Sequence, residues 1–248
     1  MTISIITATY NSASTLRDTL LSVRNQAYSD VEHIIIDGLS VDSTIDIVKE
    51  FPHVVRVVSE KDRGIYDAMN KGIKLATGEV VGILNSDDFY TDEKVLLKVM
   101  EAFNDPLIDV VYGDLQYVRK NDVHVVTRTW KSGQYKKENF YYGWMPPHPA
   151  FFVRRKIYEE VGFFNTDLRS AADYEMMLRI LVKHGARVRY VPGIMVKMRA
   201  GGVSNASFKN RLRANREDRM AWQLNELKPL FFTTWLKPMR KIIQFITR

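Results

Sequence analysis

The segment Ile83-Leu84-Asn85-Ser86-Asp87-Asp88 closes an apolar, strand-like run with two adjacent carboxylates. Hard oxygen donors of this kind suit Mg2+ or Mn2+, which takes one or two carboxylates and completes its shell with water and phosphate oxygens. The pair also reads as plain turn residues ahead of a helix starting near Asp92, so its neighbours must decide. Asp37 follows the apolar run 33–36, and Glu60-Lys61-Asp62-Arg63-Gly64 follows the run 54–58. Three successive apolar runs thus deliver polar clusters to one expected sheet edge. A carboxylate such as Asp37 can accept hydrogen bonds from a base or ribose there, and Arg63 can face a phosphate. Asp42 and Ser43 read equally as helix caps. Further on, Asp173 heads the amphipathic stretch SAADYEMMLRIL. Helix amides favour an ionised carboxylate at such a place, which suits either an N-cap or a proton acceptor.

The elements that must position these groups alternate between β-rich and helical patterns. Strands are predicted at residues 3–7, 33–36, 54–58 and 80–84, with a further strand at 109–112. Between them lie a helix opened by a Thr15–Asp18 capping pair, one begun near Asp42, one through Ile65, Met69, Ile73 and Ala76, and one over 92–103. This is the pattern of βαβ units, whose ligands gather outside the carboxyl ends of the strands. After Gly113 strand-like alternation appears at 123–130, followed by the aromatic loop GWMPPHPAFFVRR, helices near 156–161 and 174–184, and a strand around 187–191. Antiparallel pieces are therefore expected on a parallel core.

Composition bounds the function classes. A chain of 248 residues that is 46% hydrophobic can bury a substantial core. The absence of cysteine excludes disulfides, thiolate metal sites and a cysteine nucleophile. The opening MTISIITATYNS predicts no secretory leader, and no apolar run approaches the roughly 20 residues of a spanning helix. Residues 199–248 hold eleven Lys/Arg against Glu217, Asp218 and Glu226, a net +8, so with +7 overall the remaining residues sum to −1. Such asymmetry points the C-terminal segment at an anionic surface, a membrane or a nucleic acid. Residues 228–248 interleave lysine and arginine with Phe231, Phe232, Trp235 and Phe245, which suits an interfacial segment broken by Pro229 and Pro238. Packing on the body or a dimer contact is the alternative. No Walker-type loop or G-x-G-x-x-G turn is present, which argues against P-loop and dinucleotide sites.

Four motifs occur together and in order: Thr7-Ala8-Thr9-Tyr10-Asn11, IDGLSVDST, EKDRGIYDAMNKG and NSDD. In this the chain resembles the inverting glycosyltransferases of family 2, with the GT-A fold: an α/β architecture whose mixed, mainly parallel sheet is flanked by helices, here with a basic helical C-terminal tail. The resemblance implies a catalytic domain over 1–205, with a nucleotide-sugar half at 1–112 and an acceptor half at 113–205, then a basic extension at 206–248. It implies that Thr7, Tyr10, Asn11 and Asp37 line the nucleoside pocket and that Arg63, Asp67 and Asn70 lie on the donor side. The first acid of the family's metal motif is Asn85 or Ser86 here, which leaves Asp88 as the expected direct ligand of Mg2+ or Mn2+ and Asp87 as a contact either to the sugar or to the metal's ligands from behind. Asp173 takes the place of the general base, and His148 that of an acceptor or diphosphate contact. Arg199-Ala200-Gly201-Gly202-Val203-Ser204 resembles a loop that closes over the donor, with Arg199 on phosphate. Tyr66, Trp130, Tyr142 and Trp144 are candidates for stacking on sugars, or simply core.

The implied reaction moves a sugar from a nucleotide-diphosphate sugar, with UDP favoured, to a glycan or lipid-linked acceptor in surface polysaccharide synthesis. The implied location is cytoplasmic and peripheral at the inner membrane face. Two rival readings fit less well: a nucleotidyltransferase normally carries a glycine-rich basic loop after strand one, which TATYNSAST lacks. A nucleic-acid-binding protein using the basic tail should show a nucleic-acid motif, and its acidic cluster would repel phosphates. No nucleic-acid partner is therefore expected.

Overall fold

A run of apolar β-formers flanked by others becomes a central strand, and β1 (Ile3–Thr9) is buried along its whole length. In the computed structural model, which describes residues 1–201 and 208–237, β1 pairs in parallel with β2 (Val31–Asp37) on one side and β4 (Val80–Ile83) on the other. β3 (Val54–Ser59) adds to β2 as an edge strand. Helices α1 (Leu16–Arg24), α2 (Thr44–Lys49) and α3 (Ile65–Leu75) make the crossovers. α3 sits close on the sheet because Gly72 carries no side chain: a Cβ there would lie 2.3 Å from the Ile6 Cγ2.

The second half continues the same sheet with mixed polarity. β5 (Phe89–Tyr90) and α4 (Val95–Phe103) precede the hairpin of β6 (Val110–Arg119) and β7 (Asp122–Trp130). β8 (Phe151–Arg154) lies antiparallel between β4 and β6, and β9 (Val188–Arg199) runs parallel to β6. The order is β3-β2-β1-β4-β8-β6-β9-β5, with β7 beside β6. β6 and β9 are far longer than the runs 109–112 and 187–191 suggest, because they pair with each other from Val110↔Val188 to Val118↔Arg199. α5 (Arg155–Val161) and α6 (Ala172–Met177) follow β8, and α6 passes into a π-helical turn over Leu178–Lys183.

Two local expectations are corrected. Thr15 makes no cap at the start of α1; its hydroxyl donates to the Ser86 carbonyl at 2.9 Å, tying the helix to the carboxylate turn. The helix expected from Asp92 starts at Val95, since the Asp92 side chain accepts the Lys94 amide and makes a turn.

The division expected near residue 205 is one of charge rather than of packing. α7 (Phe208–Leu224) buries Ala221 and Trp222 in the core that holds α6, and the Trp222 Nε1 donates to the Tyr174 hydroxyl at 3.0 Å. The expectations for Gly202 to Ser204 and for 238–248 lie outside the described residues.

Candidate active site

β4 ends in the turn that carries Asp87 and Asp88. Asp88 is fully buried, and its Oδ2 accepts from the Asn85 amide at 2.9 Å. Its other oxygen, Oδ1, and the side-chain oxygen of Asn85 are buried with no partner. Burial, then the charge of Asp87, pushes the Asp88 carboxyl well above the usual range, against the pull of Asn85 and Arg199. Asp87 is raised as well, by burial, with Arg199 and Lys120 opposing. Two close carboxylates and two orphaned oxygen acceptors in a poorly hydrated turn are chemically matched to a divalent cation of the Mg2+ or Mn2+ type. Asp87 is the partly exposed acid and Asp88 the buried one.

Arg199 does not sit on a free loop. It ends β9, is buried, donates from Nη1 to the Asp87 carbonyl at 2.6 Å, and pairs through Nη2 with Asp18 of α1. Its guanidinium also covers the Phe89 ring at 5.1 Å. These contacts make Arg199 a brace for the carboxylate turn, because the β6 pairing carries β9 this far.

At the parallel edge the side chains sort differently from expectation. Thr7 is fully buried, with its hydroxyl 3.1 Å from the His33 Nε2, so strand alternation aims it into the sheet's packing instead of a pocket. Asp37 is also fully buried. Its oxygens accept from the Ser40 amide at 3.0 Å, from the Ser40 hydroxyl, and from the Ser59 hydroxyl at 2.6 Å. Asn11 takes a left-handed backbone (φ 48°), accepts the Val41 amide at 2.9 Å, and so pins the loop after β2. Asn70 spends its whole amide on the second half, donating to the Phe164 carbonyl and accepting its N–H, both at 2.9 Å. Asp67 accepts the Arg63 amide and pairs with Arg63 at 3.6 Å and Lys71 at 4.0 Å. Tyr10 presents a large apolar surface, at 64% exposed, with Asn11 exposed beside it.

One group was not singled out from the sequence. Asp62 accepts the Gly64 amide through Oδ1, while its Oδ2 lies against Gly38, where a Cβ would come within 2.6 Å of it and 3.5 Å of the Tyr10 ring. Asp62, Gly38 and Tyr10 therefore form a cradle at the carboxyl ends of β1 and β2. The signal available was the cluster EKDRG, which names the acids but not which one is left free.

Asp173 sits half-buried in the first turn of α6, and its Oδ1 accepts from the Tyr66 hydroxyl at 3.3 Å and from the Tyr174 amide at 2.9 Å. Burial, then the Asp173 charge, raises the Tyr66 hydroxyl well above its usual range, so Tyr66 stays a donor. His148 meets Phe164 edge-on at 5.5 Å; burial lowers its pKa and the nearby Asp173 opposes, which keeps the ring neutral at neutral pH. Tyr117 joins the two acidic centres. Burial raises its hydroxyl, the Arg128 guanidinium 3.7 Å over its ring opposes, and Asp88 and Asp173 each add to the rise. Tyr117 thus lies within electrostatic reach of both carboxylates. Of the four aromatic candidates, Tyr66 belongs here. Trp144 is buried with its Nε1 on the Ser132 carbonyl, Trp130 is half-buried near Arg128, and Tyr142 stacks on Phe232.

The sequence profile described as Glycosyl transferase family 2 matches residues 4–162. The chain is 30% identical over 208 residues to a PGL/p-HBAD biosynthesis glycosyltransferase of Mycobacterium tuberculosis, covering 82% of this chain and 78% of that one. It is 27% identical over 182 residues to the chondroitin synthase of Pasteurella multocida, covering 72% of this chain and 18% of that much longer one. Among solved structures it resembles S. aureus TarS (TM-score 0.71, 20% identity, 92% of this chain), of whose length it spans 41%. It also resembles the mannosyltransferase PcManGT from Pyrobaculum calidifontis, solved with GDP-Man and Mn2+ (TM-score 0.67, 19% identity, 95% of this chain and 72% of that one). The shared architecture is the GT-A fold.

Proposed function

Because the chain belongs to glycosyl transferase family 2, we propose that it transfers a sugar from a nucleotide-diphosphate sugar to an acceptor hydroxyl in a single, inverting displacement. The observation that carries this reading is a pair of unlike acids: Asp88, fully buried in the oxygen-rich turn with an unpartnered Oδ1, and Asp173 at a half-exposed helix start, held by the Tyr66 hydroxyl at 3.3 Å. One suits a cation and the other a proton. Membership of a glycosyltransferase family also takes the place of the nucleotidyltransferase and nucleic-acid readings.

Asp173 is the general base: it accepts the proton of the acceptor hydroxyl as that oxygen attacks the anomeric carbon. The Tyr66 hydroxyl and the Tyr174 amide fix its orientation, and in this reading the neutral His148 ring hydrogen-bonds the acceptor. Asp87 and Asp88, with the Asn85 oxygen behind them, would hold Mg2+ or Mn2+; exposure favours Asp87 as the ligand that meets the diphosphate side. When bound there, such an ion would supply the positive charge that offsets the charge on the departing nucleotide diphosphate. Tyr10 stacks on the base, and Asp62, not the saturated Asp37, reads it. With one oxygen already committed to Gly64, Asp62 offers a single free acceptor, which suits the one imide N–H of uracil better than the paired donors of guanine. This supports a UDP-sugar over a GDP-sugar; TarS has been solved with UDP-GlcNAc. The acceptor in this reading is a lipid-linked glycan of surface polysaccharide synthesis, met at the inner face of the cytoplasmic membrane. Among the described residues no helix is long and apolar enough to cross a membrane.

The test is a donor panel of UDP-, GDP- and dTDP-sugars assayed with and without Mn2+, on the natural chain and on Asp173→Asn. The expected result is UDP-sugar turnover that falls by about 10²- to 10⁴-fold in Asp173→Asn while donor affinity holds. Loss of donor affinity along with turnover would move Asp173 to the donor site and overturn its role as base.

A further inference from the structure

Residues 230–237 form a turn and a short helix held against the 3₁₀ helix Lys137–Tyr142. The Thr233 hydroxyl donates to the Tyr141 carbonyl at 2.7 Å, and Phe232 stacks on Tyr142 at 6.2 Å. With Phe232 and Thr233 turned inward, the neighbouring apolar side chains are left outside: Phe231 is 90% exposed, Trp235 63%, Tyr142 51% and Leu230 41%. Singly exposed apolar groups are ordinary, but an aromatic-rich cluster on one turn is not.

The charges around it have one predominant sign. Residues 208–237 carry seven Lys/Arg and three acids. Glu217 is buried on the amides of Ser170 and Ala171, and Asp218 is buried beside Lys237 at 2.6 Å, so Glu226 is the one exposed acid of this segment. Lys228 is exposed directly before the cluster, and Lys136 and Lys137 are exposed at the far end of the helix that carries Tyr142, with Glu138 the one exposed acid of that helix. Phe, Trp and Tyr beside lysines match the headgroup boundary of an anionic bilayer, where rings enter the interface and cations meet lipid phosphate. A second copy of the chain fits less well, since three side chains on one turn and Tyr142 on the neighbouring helix fall far short of the roughly 20 to 30 residues a side of a stable interface.

We infer that the face formed by Tyr142, Leu230, Phe231 and Trp235 docks on an anionic lipid surface. The inference deepens the membrane location proposed above and rests on it. It also ties the lipid contact to the catalytic helix: Lys237, in the same short helix as Trp235, lies 3.6 Å over the ring of Tyr174, the residue after Asp173. A bilayer held at this face thus lies beside the elements that carry the proposed base.

Trp235 provides the readout, because Trp144 and Trp222 are buried and Trp130 is half-buried. The full chain is mixed with phosphatidylglycerol/phosphatidylcholine vesicles containing a lipid brominated on its acyl chain, and tryptophan emission is followed. The expected result is a blue shift and quenching that weaken with added salt and with pure phosphatidylcholine, and that vanish in Trp235→Phe. Phe231→Ser combined with Trp235→Ser should lower the vesicle partition coefficient by about tenfold or more without changing transfer to a soluble acceptor. No quenching on anionic vesicles would overturn the inference, as would concentration-dependent self-association abolished by the same double variant. Either result would leave the glycosyl-transfer reading standing, since the donor panel tests that separately.

Discussion

The buried carboxylate of Glu217 on α7 accepts the amide N–H of Ala171 at 3.1 Å, and the same oxygen takes the Ser170 N–H at 2.7 Å. These two amides immediately precede the first turn of α6 and hence Asp173. Trp222 on Tyr174 and Asn225 on the Glu175 carbonyl complete a mould made by residues 217–225 around the helix start. Replacing Glu217 with Ala strands the buried Ala171 donor at about 1–3 kcal/mol and the half-buried Ser170 donor at less, a loss of several degrees in Tm for a chain of this size. Turnover should fall as Asp173 loses its setting, while nucleotide affinity is retained. Thermal unfolding and donor calorimetry on the same variant check both parts, and a variant with unchanged turnover would show that α7 is a cover and not a support.

The carboxylate turn should respond asymmetrically to neutral substitution. Asp88→Asn removes a buried charge that burial and Asp87 both disfavour, so the protein without metal should be no less stable than the natural chain. In the natural chain Mn2+ should raise Tm through binding to the folded state, and both Asp87→Asn and Asp88→Asn should erase that rise and cut transfer sharply. A melting series with and without Mn2+ and UDP reads this out.

Asp37 and Asp62 should separate structure from recognition. Asp37→Ala leaves the Ser40 amide and the Ser40 and Ser59 hydroxyls without an acceptor, and should destabilise the fold by a few kcal/mol. Asp62→Ala should leave Tm nearly unchanged and weaken UDP binding by about tenfold or more, the scale of one hydrogen bond to a charged group. Binding that survives in Asp62→Ala would return base reading to another group.

The Thr7–His33–His53 chain gives a pH dependence of stability. Burial, then the neighbouring His53, depresses His33 to about 3. Between that value and the ordinary 6.5, the unfolded chain binds a proton that the folded one refuses, so stability falls as pH drops through this window, by up to about 1.4 kcal/mol per unit. Above 6.5 the term is absent. Denaturant titrations at pH 7.5 and pH 5 should show the loss, and His33→Gln should reduce it, leaving the part that His53 and His148 contribute.

The sequence by itself determined the parallel half of the fold, the carboxylate turn and the position of Asp173. Apolar runs of β-formers bounded by helical periodicity report local structure directly, and consecutive βαβ units leave little freedom in where strand ends point. What it left undecided follows from long-range pairing. Thr7 and Asp37 have the residue types of a nucleoside pocket, but only the burial of β1 and β2, with His33, Ser40 and Ser59 brought alongside, commits them to the interior. Asn70 reads as a donor contact until Phe164, 94 residues later, takes both ends of its amide. Arg199 reads as a mobile cation until β9, extended by its pairing with β6, delivers it to Asp18 and Asp87. In each case a polar side chain near a sheet edge is free or spoken for according to partners distant in sequence. Residue type alone does not distinguish the two, because the same hydrogen-bonding groups that bind a ligand satisfy a buried backbone or carboxylate equally well.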